Sequence, residues 1–156
     1  MLKKTLLTLL SSSILFACGK KYTYEGYQTL PNKQWIADSV ATFSFIITED
    51  IQAYQLSYSI RNTLRYPYYN LFISYDIIDA SGKVLLNKRI DNNLLNPKTG
   101  EPYGTGLGDV YDHDFMLSPS YKFPKTGSYQ LKLKQEMRLD TLPEIVAVGV
   151  KVAVVE

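Results

Sequence analysis

The chain has 156 residues, with 17 Lys and Arg against 15 Asp and Glu, one Cys, one His and 13 Tyr. That length fits one domain behind a short leader. A formal charge of +2 with no clustered Lys/Arg face argues against nucleic acid as a partner, and one thiol far in sequence from one imidazole is a poor start on a metal or nucleophilic site.

The N-terminus reads as a targeting segment. Lys3 and Lys4 precede Leu6, Leu7, Leu9, Leu10, Ile14, Leu15 and Phe16, and the run ends at the small residue Ala17, the order of a secretory signal. It is too short to span about 30 Å of hydrocarbon, and Ser11, Ser12 and Ser13 interrupt it. Leu15-Phe16-Ala17-Cys18 resembles the lipobox of bacterial lipoproteins, in which cleavage before the cysteine leaves a sulfur that carries diacylglycerol; Phe16 stands where a small residue is commoner. The resemblance implies a signal peptide over 1–17 and a lipid-modified Cys18. Roughly two or three acyl chains, at about 0.8 kcal/mol per buried methylene, make such an anchor permanent. Loss of Lys3 and Lys4 with the signal leaves 15 basic and 15 acidic residues, so the mature chain is formally neutral.

Residues 18–34 are mostly polar or aromatic-polar, contain Pro31 and lack periodicity. They read as a lipid-anchored tether of coil dimensions, about 20 Å in reach. One domain, 35–156, follows. From Val40 onward the period is two: Phe43, Phe45 and Ile47; Tyr54, Leu56, Tyr58 and Ile60; Leu71, Ile73, Tyr75 and Ile77; Tyr129, Leu131 and Leu133; and Val146 to Val154 at every second residue. These are strands with one buried face. Asp79-Ala80-Ser81-Gly82 and Asn96 to Gly100 are turn sequences, and Leu139 to Ile145 is the one stretch with room for a helical turn. The fold class expected is all-β, an antiparallel β-sandwich of jelly-roll type.

Several motifs occur in order along the chain: Trp35 ahead of the first long strand; Arg61-Asn62 and then Tyr66-Pro67-Tyr68-Tyr69-Asn70-Leu71; "YGTGLGDVYD" at 103–112; "GSYQLKLKQEMRLDTLPEI" at 127–145; and Val148-Gly149-Val150. With the lipobox, this series resembles the GldH family of gliding-motility lipoproteins over nearly the whole chain. The resemblance implies an outer-membrane lipoprotein needed for gliding, working beside other gliding-motility lipoproteins and the secretion system that exports surface adhesins. It implies no catalytic activity and no cofactor, and carries no residue-level site.

The candidate partner-binding residues are therefore read for themselves: Arg61, Tyr66, Tyr68, Tyr69 and Arg138. Pro67 biases Tyr66 toward extended backbone, which makes this the start or edge of a strand. The tyrosines either form a docking surface, as Tyr does at interface hot spots, or cap the open end of the core with their hydroxyls at its rim. Arg61 and Arg138 either stack on such rings or pair with carboxylates.

Gly104, Gly106 and Gly108 lack the Gly-Lys-Ser/Thr of a phosphate cradle. Asp109, Asp112, His113 and Asp114 do not fit the twelve-residue calcium loop, so the stretch reads as a sharp glycine-rich connection ending in solvated acids. No metal and no enzymatic function are expected. Two functions remain, a scaffold or stabilising partner in a protein complex, and a glycan-binding module using flat aromatics. Gly19, Lys20, Lys21 and Tyr22 carry no acidic cluster after Cys18, which favours the periplasmic face of the outer membrane.

Overall fold

Alternating burial marks several of the strands. In the computed structural model, which describes residues 22–155, β3 (Ala41–Ile47) buries every second side chain, as a strand packed on one face must. Before it come β1 (Tyr24–Thr29) and β2 (Gln34–Ile36). After it come β4 (Tyr54–Thr63), β5 (Asn70–Asp79), β6 (Val84–Asn93), β7 (Thr105–Leu107), β8 (Val110–Tyr121), β9 (Gly127–Gln135), β10 (Thr141–Pro143) and β11 (Ile145–Val154).

The chain is doubled back at the β5–β6 hairpin and then rolled. Its first half runs antiparallel to its second: Tyr24 lies opposite Val152, Ala41 opposite Leu133, Tyr54 opposite Tyr121, and Asn70 opposite Asn93. Rolling this double ribbon gives one sheet in the order β1-β11-β4-β8-β7, a second in the order β3-β9-β5-β6, and a small β10-β2 pair. The eight long strands, taken alone in chain order, stand 1-8-3-6 in one sheet and 2-7-4-5 in the other. This is the expected sandwich, with jelly-roll connectivity.

The turn residues enforce the doubling. The Asp79 carboxylate accepts from the backbone N–H of Ser81 (2.8 Å) and of Lys83 (3.1 Å), and Gly82 takes a φ of 84° that a side chain would disfavour. The inner faces of the two sheets meet in one core. Leu56, Tyr58 and Ile60 of β4 and Val148, Val150 and Val152 of β11 face Leu71, Ile73 and Ile77 of β5 and Leu131 and Leu133 of β9. Each such aliphatic side chain contributes roughly 1.5–3 kcal/mol by leaving water. Phe45, Leu56, Tyr75, Leu131 and Val150, expected in the core from their periodicity, are all buried.

Three local expectations are corrected. The tether does not reach residue 34: Tyr24–Thr29 is a strand paired along its length with β11, and Tyr24 packs its ring 5.6 Å from that of Phe45. Its alternation is hidden because Gly26 has no side chain to show at an inward position. Leu139 to Ile145 holds no helical turn; it contains β10, whose Leu142 sits opposite Trp35 of β2. Both are fully buried, so this small pair closes one end of the core. Of the acids after the glycine-rich stretch, Asp109 sits in the turn beside the sharp bend at Gly108 (φ 69°), while Asp112 and Asp114 lie within β8.

The three longest connections, 30–40, 94–109 and 136–144, lie at one end of the sandwich together with 64–69. The β5–β6 hairpin, the connections 48–53 and 122–126, and the start of β1 lie at the other. The first end is called the loop end below.

Candidate functional site

At the loop end, on the outer face of the β3-β9-β5-β6 sheet, a groove of about 350 Å³ is lined by Tyr68, Phe72, Arg89, Glu136, Met137, Arg138 and Leu139. Its floor follows from strand alternation: Leu71 and Ile73 point inward, which turns Phe72 outward. Arg89 of β6 lies with its guanidinium carbon 5.4 Å from the Phe72 ring centre, a cation–π contact.

The wall at 136–139 is held by its own backbone and by one buried amide. Glu136 N–H donates to Phe72 C=O (2.8 Å), and Phe72 N–H donates to Met137 Sδ (3.4 Å). Gln135, almost fully buried, accepts from Met137 N–H at Oε1 (2.8 Å) and donates from Nε2 to Leu139 C=O (2.8 Å). Both ends of the buried amide are thereby satisfied and the wall is fixed in one course. The Glu136 carboxylate accepts from Ser74 Oγ (2.7 Å). Arg138 forms no hydrogen bond or ion pair with the described residues.

The tyrosine motif divides. Tyr66 is 4% exposed and donates from its hydroxyl to Asn70 C=O (2.9 Å), and burial pushes its phenol pKa up. It caps the core, as one of the two sequence readings has it. Tyr68 and Tyr69 are exposed. Tyr68 meets Tyr66 edge-on at 72° with centroids 5.8 Å apart, so the two rings form no flat platform of the kind a sugar stacks on. Arg61 stands elsewhere, on the outer face of the other sheet, in a two-point bridge to Asp112 (2.7 and 2.9 Å).

The first half of β8 divides by alternation too. Asp112 and Asp114 point outward; Asp114 accepts from the Ser59 hydroxyl and from Lys151 Nζ (2.9 Å). Burial works against the charged form of Asp114, but the Ser59 and Lys151 contacts outweigh it and hold the pKa below its usual value. His113 points inward, 3% exposed, with its ring parallel to Phe115 and its Nε2 unpartnered. Burial lowers its pKa, opposed by Asp112 and Asp114, which favours neutral imidazole. Among the described residues no group of three or more His, Cys, Asp or Glu is placed to hold a metal ion.

The GldH lipoprotein family model matches residues 22–152. The chain belongs to that family. It is 32% identical over 126 residues to the gliding motility lipoprotein GldH homolog of Christiangramia forsetii, covering 80% of this chain and 75% of that protein. It is 28% identical over 137 residues to the gliding motility lipoprotein GldH of Flavobacterium johnsoniae, covering 88% and 83%. Among solved structures, a chain of infectious bursal disease virus, Gx strain, matches at a TM-score of 0.43 and 13% identity, over 86% of this chain and 33% of that one; a likeness of that degree carries no argument.

Within this GldH-family domain, the fold brings together two of the five residues singled out from sequence, Tyr68 and Arg138. Phe72, Arg89, Glu136, Met137 and Leu139 complete the groove and were missed. The available signal was Phe72, an aromatic at an outward position of an otherwise regular strand. Cys18 lies outside the described residues.

Proposed function

We propose that this GldH-family protein is held in the outer membrane, on its periplasmic face, by a lipid on Cys18, and that it acts by contact. In this reading it is a non-catalytic scaffold or stabilising partner of the gliding machinery, engaging other gliding-motility lipoproteins or secretion-system components. The observation that carries the proposal is the groove, where an exposed tyrosine, an apolar floor and two arginines converge from three segments of the chain. Aromatic and Arg side chains around a concave apolar centre are what protein interfaces use as anchors. His113, the one candidate base, is inward, buried and flanked by outward acids already engaged in bonds, and this supports a role by contact instead of chemistry.

The test is deletion of the gene and complementation at matched abundance, scoring gliding and the envelope proteins that co-purify. Loss of gliding on deletion, rescue by His113→Ala, and poor rescue by Tyr68→Ala together with Arg138→Glu are expected. Normal gliding in the deletion removes the motility reading. A folded, lipidated His113→Ala as defective as the deletion removes the non-catalytic one.

A further inference from the structure

We infer that the groove takes an extended acidic segment of a partner protein, which sets a carboxylate on Arg138 and an apolar side chain against Phe72 and Met137. The inference rests on the contact reading above and names the chemistry of the contact.

The charges of the two outer faces differ in how they are spent. On the β1-β11-β4-β8-β7 face, Arg61 is bridged to Asp112, and Lys151 to Asp114 (2.9 Å) and Glu25 (3.9 Å). On the groove face every carboxylate is satisfied by a neutral donor: Asp76 by Asn87, Asp91 by Asn70, and Glu136 by Ser74. The cations there have no anionic partner among the described residues. Ser74 lies opposite both Arg89 and Lys134 in the strand register, so these two cations share its outward face, and Arg138 stands at the groove itself. Those neutral donors leave the carboxylate charges in place, but the groove lining itself carries Arg89 and Arg138 against the single carboxylate Glu136, a net excess of one positive charge bordering an apolar floor. Guanidinium groups match carboxylates in planar, two-point geometry.

An extended segment suits the surroundings. β6, which carries Arg89, pairs with β5 alone, and its outer edge can align a strand whose alternate side chains reach the groove. A bilayer surface is flat and does not fill a concave site, so a protein segment fits better than lipid headgroups.

The experiment uses the full chain purified in detergent and a fluorescein-labelled hexapeptide alternating Asp with Phe and Leu, read by fluorescence anisotropy. Controls are the Asn-for-Asp peptide, a Lys-for-Asp peptide, and vesicles rich in phosphatidylglycerol. Saturable binding of the acidic peptide is expected, weakened about tenfold or more by Arg138→Glu or Arg89→Glu. Lys98→Glu, the same charge reversal on an exposed turn outside the groove lining, should change it by less than about twofold. Arg138→Glu should gain affinity for the Lys peptide. Absence of saturable binding up to about 1 mM, equal loss on Lys98→Glu, or Arg138-dependent binding to vesicles but not to peptide overturns the inference. Those outcomes leave the motility phenotype of a deletion untouched, so failure here and failure of the contact reading are told apart.

Discussion

Trp35 tests whether the segment before the first long strand belongs to the domain. Its ring is fully buried, and its indole N–H donates to Ser39 C=O at 3.0 Å. Truncation to Ala removes the largest side chain at the loop end. Buried Trp→Ala costs about 3–5 kcal/mol, and the orphaned Ser39 carbonyl adds roughly 1. Against a total of about 5–15 kcal/mol for an ordinary domain, Trp35→Ala leaves little stability. It should lower the melting temperature by about 10–20 °C. Ile36, the next residue, is 53% exposed, so Ile36→Ala should stay within about 0.5 kcal/mol. Urea unfolding followed by far-ultraviolet circular dichroism is the assay, since the substitution removes the only Trp of the chain. A Trp35→Ala variant within about 1 kcal/mol of the parent, with an unchanged denaturant slope, would refute the packing argument. By the same argument a fragment beginning at residue 36 loses both β1 and Trp35 and should fail to fold.

Leu131→Ala on β9 should cost about 2–5 kcal/mol and its outward neighbour Lys132→Ala less than about 0.5; comparable losses at the two positions would contradict the assigned faces. The lowered pKa of His113 means that the unfolded chain binds a proton first as pH falls. Its contribution is therefore complete above the ordinary value of 6.5 and declines below it, down through the lower folded value. His113→Phe should flatten the stability–pH curve in that window, and an unchanged curve would show that His113 is not the group responsible. Cys18→Ala should block lipid attachment and leave unprocessed precursor, and normal incorporation of labelled fatty acid into that variant rules out the lipobox reading.

How much of this was legible depended on whether a strand has one wet face. β3, β5 and β9 alternate in burial, and β4 and β11 alternate in sequence although much of their outer face is covered, and that periodicity located them. β8 and β6 do not: β8 holds His113 inward among Asp112 and Asp114, and β6 is an edge strand mostly exposed along its length. Propensity and pattern say little about strands whose burial is set by tertiary position. β1 was concealed by Gly26 at an inward position. Tyr66 and Tyr68 look alike in sequence, yet one caps the core and the other lines a groove, because only the course of 64–69 decides which ring turns inward. The groove was half legible for a related reason. Tyr68 and Arg138 stood out as residues, but their proximity comes from β5 and β9 becoming neighbours when the ribbon rolls, and no local feature of either segment encodes that.

The positions of the two ends of the sandwich constrain where a partner must stand. β1 begins at Tyr24, opposite Val152, at the end away from the longer connections, and the six residue steps from Cys18 to Tyr24 span at most about 20 Å. With the lipid on Cys18, the proposed anchor holds that end close to the bilayer. Strands of about ten residues rise roughly 30 Å from one end to the other, and the groove lies toward the far end, beside Tyr68 and residues 136–139. The shortened tether matters here: a coil through residue 34 would let the domain tumble over the lipid, whereas pairing of 24–29 with β11 fixes which end is near. The contact surface is then displayed away from the membrane that carries it. A partner embedded flush with the same bilayer would not reach the groove, but a partner with a segment standing well clear of the lipid surface would, and an extended acidic strand at that height can set its carboxylates on the groove arginines.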